Sequence, residues 1–282
     1  MKLQRLKSYI HNNVEYIVFA LLAIFLVYLL ISRNWENFTN ESNGINSMDA
    51  IIYINLENRQ DRKDLLMKEL EKLDTNMSKV HKVSGVYIPK NGHKGCIQSH
   101  ILAFHMIKLN KWKRVLILED DAELDMSPES INDLISKSLT SLDEKHPDWN
   151  VIMLATANKT IDNKTSVIPL DVSIPAPENA NSNTSSNSDS TKKTTLNIQK
   201  LNTATTSSAY IIKDSYVDNI LSLFKHCNNN MTPDKLTSSG FENWALDQKW
   251  AELQSKDKWF CYDKDPIKQR AIWSTIMSES HT

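Results

Sequence analysis

The sequence predicts an α/β domain behind a single N-terminal membrane-spanning helix. Two observations predict it: a long uncharged apolar run near the N-terminus, and an alternation of short apolar runs with amphipathic stretches after it. The chain has 282 residues and 40% hydrophobic content, enough to build one large core. Its 33 basic and 34 acidic residues give a net charge of −1, which excludes a nucleic-acid binder working through a basic excess. A charged content of 24% with 7 Trp, 8 Tyr and 7 Phe excludes a mostly disordered chain. With 5 glycines there is no dinucleotide-binding or P-loop fingerprint. The three cysteines, Cys96, Cys227 and Cys261, make neither a disulfide framework nor a C-x-x-C metal pair.

Tyr16 to Ser32 (YIVFALLAIFLVYLLIS) carries no charge over 17 residues. As a helix this run spans about 25 Å, enough for a thin bilayer. A cleavable leader has a shorter apolar stretch and small residues at its cleavage site, and neither is present. Lys2, Arg5 and Lys7 precede the run, whereas Arg33, Glu36 and Glu41 follow it. That balance keeps residues 1–13 cytosolic and translocates the rest. The expectation is a type II single-pass protein: anchor at 14–32, stem at 33–48, and a catalytic domain at 49–282 in the endoplasmic reticulum, the Golgi or another extracytoplasmic space. Seven N-x-S/T sequons begin at Asn37, Asn40, Asn76, Asn158, Asn163, Asn183 and Asn230, as a translocated glycoprotein allows.

The domain opens on Ala50–Leu56, a near-continuous apolar run that reads as a buried strand. An amphipathic helix follows over Asp61–Leu73, with Leu66, Leu70 and Leu73 on one face. Val80–Val86 reads as a strand, Gly95–Leu109 as a helix, and Val115–Leu118 and Asn150–Leu154 as buried strands. This alternation predicts an α/β layer with parallel strands. The Ser/Asn/Thr tract within about 171–200 reads as a disordered insertion. A strand at Thr205–Ile212, helices at Ser215–Phe224 and Glu242–Leu253, and a final strand at Trp259–Tyr262 complete the expectation.

The chemistry is expected just after the strand Val115–Leu118, where Glu119, Asp120, Asp121 and Glu123 fall within five positions. Ligands of open α/β sheets gather at strand carboxyl ends, and crowded carboxylates are tolerated there when a cation is bound. Oxygen ligands suit Mg²⁺ or Mn²⁺, so Glu119 and Asp121 are the metal candidates. A metal so held neutralises charge on a departing diphosphate. Phosphatases that use a strand-end Asp nucleophile need Asp at the place Glu119 occupies.

Ile54-Asn55-Leu56-Glu57-Asn58-Arg59-Gln60-Asp61-Arg62 resembles the opening I-N-L-x-R-R-x-D-R of glycosyltransferase family 25, with Asn58 in place of the first Arg. Gly95-Cys96-Ile97-Gln98-Ser99-His100 is similar to that family's G-C-x-x-S-H, preceded here by His93-Lys94, and Leu118–Asp121 to its E-D-D motif. Thr206–Ile212, Asp247 and Asp265–Arg270 resemble its later motifs. The resemblance implies a GT-A fold, a UDP-galactose or UDP-glucose donor, inversion at the anomeric carbon, and a glycan or protein acceptor. On that reading Asn55, Arg59, Arg62, Ser99 and His100 face the donor, since guanidinium forks and helix N-termini suit phosphate. Asp247 is the candidate general base, and Asp120 stands beside it as a catalytic candidate. Two other readings share these residues: a non-catalytic membrane-tethered binding protein that keeps the fold, and a phosphate-ester hydrolase.

Overall fold

The computed structural model describes residues 44–89, 91–174, 192–231 and 244–271. The expected tail, anchor and most of the stem, the central part of the Ser/Asn/Thr tract, Glu242 and Asn243 lie outside the described residues. Among the described residues no helix is long and apolar enough to cross a membrane.

Strand β1 (Ala50–Asn55) is buried at every position. Ile51 and Tyr53 enter one apolar cluster, Ile52 and Ile54 the other. A strand packed on both faces needs no polar face, so its sequence reads as continuous rather than alternating. β2 (Val80–Ser84) and β3 (Arg114–Glu119) flank it, both parallel, with Ile54 opposite Glu119.

Helix α1 (Gln60–Lys72) places Leu66 and Leu70 on the Ile51 side of the sheet. On the Ile52 side, α2 (Gly92–Asn110) contributes Ile97, Phe104 and Ile107. After β3 the chain forms a short strand β4 (Ala122–Leu124) and then α3 (Pro128–Lys145), which adds Leu134 and Leu142 to the same apolar cluster as Leu66 and Leu70. The sequence reading had no helix over these 18 residues. Its signals are present: the Ser127 side chain accepts the Ser130 N–H at 3.3 Å, Pro128 opens the first turn, and apolar residues recur at Ile131, Leu134, Ile135, Leu139 and Leu142.

β5 (Val151–Met153), β6 (Ala157–Ile161), β7 (Ile168–Ile174), β8 (Lys192–Thr205) and β9 (Ala209–Lys213) follow. After them α4 (Asp214–Asn230) places Val217 and Phe224 beside α2, before α5 (Leu246–Lys249), α6 (Ala251–Gln254), β10 (Trp259–Tyr262) and β11 (Ile267–Gln269). The main sheet runs β2-β1-β3-β9-β5-β10-β8-β6, with β7 on β8, and β11 pairs with β4. The fold is mixed α/β with a mostly parallel centre. The expected all-parallel order fails at β9, which runs antiparallel between β3 and β5, and at β8, antiparallel to β10. Apolar patterning reports burial, not strand direction.

Four boundaries also differ. The segment read as stem ends in the core: Gly44–Ser47 form a 3₁₀ turn, and Ile45 and Met48 are fully buried against α3. The tract read as disordered over 171–200 is strand at both flanks, where β7 and β8 pair from Ile168↔Ile198 onward. Pairing supplies order that a Ser/Thr-rich sequence does not advertise. The expected helix 242–253 is two single-turn helices in its described part, and β11 follows the strand expected to be last.

Candidate active site

The carboxyl ends of β1 and β3 lie side by side, and a cleft partly open to solvent lies at them. Asn55, Arg62, Glu119, Asp120, Asp121 and Gln269 line one part of it; the loop Gly85–Ile88 with Gly92, Cys96 and Ser99 lines another.

Each acidic residue after β3 has its own partners. Asp120 is buried; one oxygen accepts from Arg62 at 2.7 Å and the other from Asn55 at 2.9 Å. Asp121, also buried, accepts from Ser208 at 3.2 Å and Gln269 at 3.0 Å, with Arg62 3.5 Å away. Glu119 accepts on one oxygen from His100 Nε2 at 3.0 Å and from the Ser207 hydroxyl, with the Cys96 thiol at 3.8 Å. Glu123 is remote from this group, paired with Arg270 at 2.9 Å.

These contacts sort the predicted residues. Asn55 and Arg62 line the cleft and bond the acidic group. Arg59 forks onto Asp61 at 2.9 and 3.0 Å at the start of α1. Asp120, expected to be catalytic, has both oxygens engaged by side chains. Ser99 and His100 were expected at a helix N-terminus, but α2 begins at Gly92, about two turns earlier. Their roles are internal. Ser99 Oγ accepts the Val86 N–H at 2.8 Å and donates to Gly95 O at 2.7 Å. His100 is fully buried between Glu119 and the Tyr210 hydroxyl, which lies 2.9 Å from Nδ1.

One helix therefore serves two walls through residues four apart. Gly95 and Ser99 face the loop: a Cβ at Gly95 would lie 2.3 Å from Val86 O, so only glycine admits the approach. Cys96 and His100 face Glu119. The i, i+4 spacing of Cys96 and His100 was the signal in the sequence for this pairing.

The segment Thr206–Ser208, expected inside a strand, is the connection between β8 and β9 and reaches three carboxylates, two of them in the acidic group. Ser207 bonds Glu119, Ser208 bonds Asp121, and the Thr206 N–H donates to Asp247 at 3.2 Å. Thr206 has φ 71°, a costly region for a β-branched residue. Its hydroxyl donates to Gln269 Oε1 at 3.0 Å, tying β11 to the same place. Thr206, Ser207, Ser208 and Gln269 were missed as site residues; three adjacent hydroxyl side chains ahead of an apolar strand were their signal.

Electrostatics separate the carboxylates. Burial opposes ionisation of Glu119, but the His100 ring, the Ser207 hydroxyl and Arg62 together outweigh it and hold the carboxyl below its ordinary value. Burial, reinforced by the Glu119 charge, pushes Asp121 up to about 6. Burial raises Asp247, with the Thr206 N–H opposing and the Glu119 charge adding. Burial also raises the Cys96 thiol, helped by Glu119 and Asp247. The cluster carries more negative charge than Arg62 offsets.

The family model for glycosyltransferase family 25 (LPS biosynthesis protein) matches residues 90–237. The chain belongs to glycosyltransferase family 25. The matched stretch holds the two-walled helix, the acidic group and the Thr206–Ser208 connection of this family 25 glycosyltransferase. No curated protein matches the chain by sequence. Among solved structures, A197 from STIV is 10% identical, with 78% of this chain and 83% of that one covered at a TM-score of 0.36. A glycosyltransferase involved in glycosylation of the major capsid of PBCV-1 is 9% identical, with 82% and 96% covered at 0.36. Mannose-1-phosphate geranyltransferase from Thermus thermophilus is 9% identical, with 80% and 75% covered, also at 0.36.

Proposed function

We propose that this family 25 member is a membrane-anchored, metal-dependent, inverting glycosyltransferase with a GT-A-like domain. It moves galactose or glucose from a UDP donor to a hydroxyl of a glycan or protein. The observation that carries the reading is the convergence of Glu119 and Asp121, at one strand end, on one cleft that is partly open to solvent. The residues fit Mn²⁺ or Mg²⁺. The donors are carboxylate oxygens, and Asp121 is raised to about 6 partly by the Glu119 charge, a repulsion that a cation relieves. When bound, the ion neutralises charge on the departing diphosphate.

The chain's own residues do the rest. Arg62 and Asn55 fix Asp120, and Arg62 lies between it and Asp121, holding the strand end rigid. Ser208 and Gln269 orient Asp121, while His100 and Ser207 orient Glu119. Asp247, with a carboxyl raised by burial, is the base that takes the acceptor proton. The charge balance around residues 14–32 supports a type II anchor with the catalytic domain lumenal or otherwise extracytoplasmic.

The test is UDP release by the full chain from a panel of UDP-sugars with Mn²⁺, with and without EDTA. Chelator-sensitive release from one donor supports the reading and names the sugar. A folded chain that neither releases UDP nor binds any of the donors would sink it in favour of a tethered binding protein.

A further inference from the structure

Cys96 Sγ, His100 Nε2 and a Glu119 carboxylate oxygen lie within 4.8 Å of one another. The nitrogen-to-oxygen edge is 3.0 Å and the sulfur-to-oxygen edge 3.8 Å. Bonds of about 2.0 Å to N and O and about 2.3 Å to S in a tetrahedron require edges of roughly 3.3 Å between N and O and roughly 3.5 Å to S, so small side-chain adjustments bring the ligands into place. Cys96 and Glu119 line the cleft, which leaves a fourth position facing it. The histidine has the outer partner that metal-bound imidazoles usually have, because Tyr210 Oη meets Nδ1 at 2.9 Å.

From this geometry we infer a second metal site, for a thiophilic divalent cation of the Zn²⁺ class, formed by Cys96, His100 and Glu119. Hard cations such as Mg²⁺ and Mn²⁺ prefer all-oxygen sets and leave a thiol aside, so the two sites differ in the ion they take. Binding releases the Cys96 thiol proton to solvent. The bound imidazole carries its single proton on Nδ1 and donates it to the Tyr210 hydroxyl oxygen. The resulting cluster of Zn²⁺, thiolate, carboxylate and neutral imidazole has no net charge, which suits its buried location. Glu119 belongs to both sites, so the soft cation removes a ligand from the hard one and inhibits transfer. That last consequence rests on the proposed function; binding itself does not.

Co²⁺ titrated into the metal-free full chain in detergent is the direct probe. The expected result is an intense near-ultraviolet thiolate-to-cobalt band, bleached by stoichiometric Zn²⁺ and missing in Cys96→Ser. No band at saturating Co²⁺, or a band that survives in Cys96→Ser, would overturn the site. Tyr210→Phe keeps the ring but loses the hydroxyl, and is expected to weaken Zn²⁺ binding roughly 10–100-fold; equal affinity would overturn the imidazole orientation on which the site depends. Should Cys96→Ser fail to fold, protection decides in the unaltered chain. Zn²⁺ must shield Cys96 from alkylation as read by peptide mass spectrometry, and unchanged alkylation would refute it. UDP release should also fall with Zn²⁺ and recover with excess Mn²⁺. A chain that shows the cobalt band but no UDP release under any condition fails the transferase reading and keeps this one.

Discussion

The guanidinium of Arg62 donates to Asp120 at 2.7 Å across 58 residues of chain, and both side chains are buried. Removing one partner of a buried pair leaves the other charge uncompensated, at about 3–5 kcal/mol. Arg62→Ala should therefore lower the melting temperature by roughly 10 °C for a domain of this size. The double variant with Asp120→Ala should lose clearly less than the sum of the two single losses, measured by thermal melts of all four chains. Simple additivity would show that the pair contributes no coupling.

If activity depends on a metal held by Asp121, this residue should set an acid limit on it. Its carboxyl is raised to about 6, so the protonated form, a poor metal ligand, accumulates below that pH. Mn²⁺ affinity and UDP release should both fall as pH drops through 6, and extra Mn²⁺ should move the midpoint lower. Stability without metal runs the other way. The folded value lies above the unfolded one of about 3.9, so the folded state binds the extra proton between them, and this group makes the fold less stable as pH rises from about 4 to 6. Asp121→Asn should remove that slope from pH-dependent melts and cut UDP release by roughly 100-fold or more, beyond the 10–100-fold that outer partners of a metal typically cost.

Gly95→Ala tests the wall that α2 holds in place. The added carbon would meet Val86 O at 2.3 Å and must push the Gly85–Ile88 loop outward. The expected outcome is a rise in donor KM with a smaller change in kcat, and about 1–3 kcal/mol of lost stability from overpacking. A KM equal to that of the unaltered chain would show that this loop does not shape the donor cleft.

Asp247 is the carboxylate to remove if the acceptor step is to be isolated. Asp247→Asn keeps an oxygen for the Thr206 N–H and takes away the proton acceptor. Transfer to acceptor should fall by about 10²–10⁴-fold, while donor affinity by calorimetry stays the same. Equal losses in donor binding and transfer would make Asp247 a structural residue of the Thr206 turn.

Much of the central layer could be read from the sequence because β1, β3 and β5 are apolar on both faces and α1 carries one clean stripe. Helix α3 was equally readable from Ser127, Pro128 and its leucines, yet the acidic run before it drew the reading to chemistry and away from periodicity. β9 could not be orientated, since nothing local distinguishes an antiparallel insertion from a parallel neighbour. At the site, Glu119, Asp120 and Asp121 were legible as a group because charge after a buried strand is locally anomalous. Which of them is tied down was not, because Asn55, Arg62, Ser208 and Gln269 reach them over long separations. Ser99 and His100 do not stand at a helix start as expected, because the start of a helix inferred from apolar content alone fell short of its Asn91 cap.

Gln269 meets Asp121 across 148 residues, and Ser207 meets Glu119 across 88. At translation speeds of about 5–20 residues per second, the acidic strand end is made roughly 7–30 s before the residue that finally secures it. An unfinished polypeptide holds the carboxylates without the hydroxyls and amide that aim them. Competence to spend an activated sugar therefore arrives only once Gln269 has been made, and a chain abandoned before it cannot drain the donor pool.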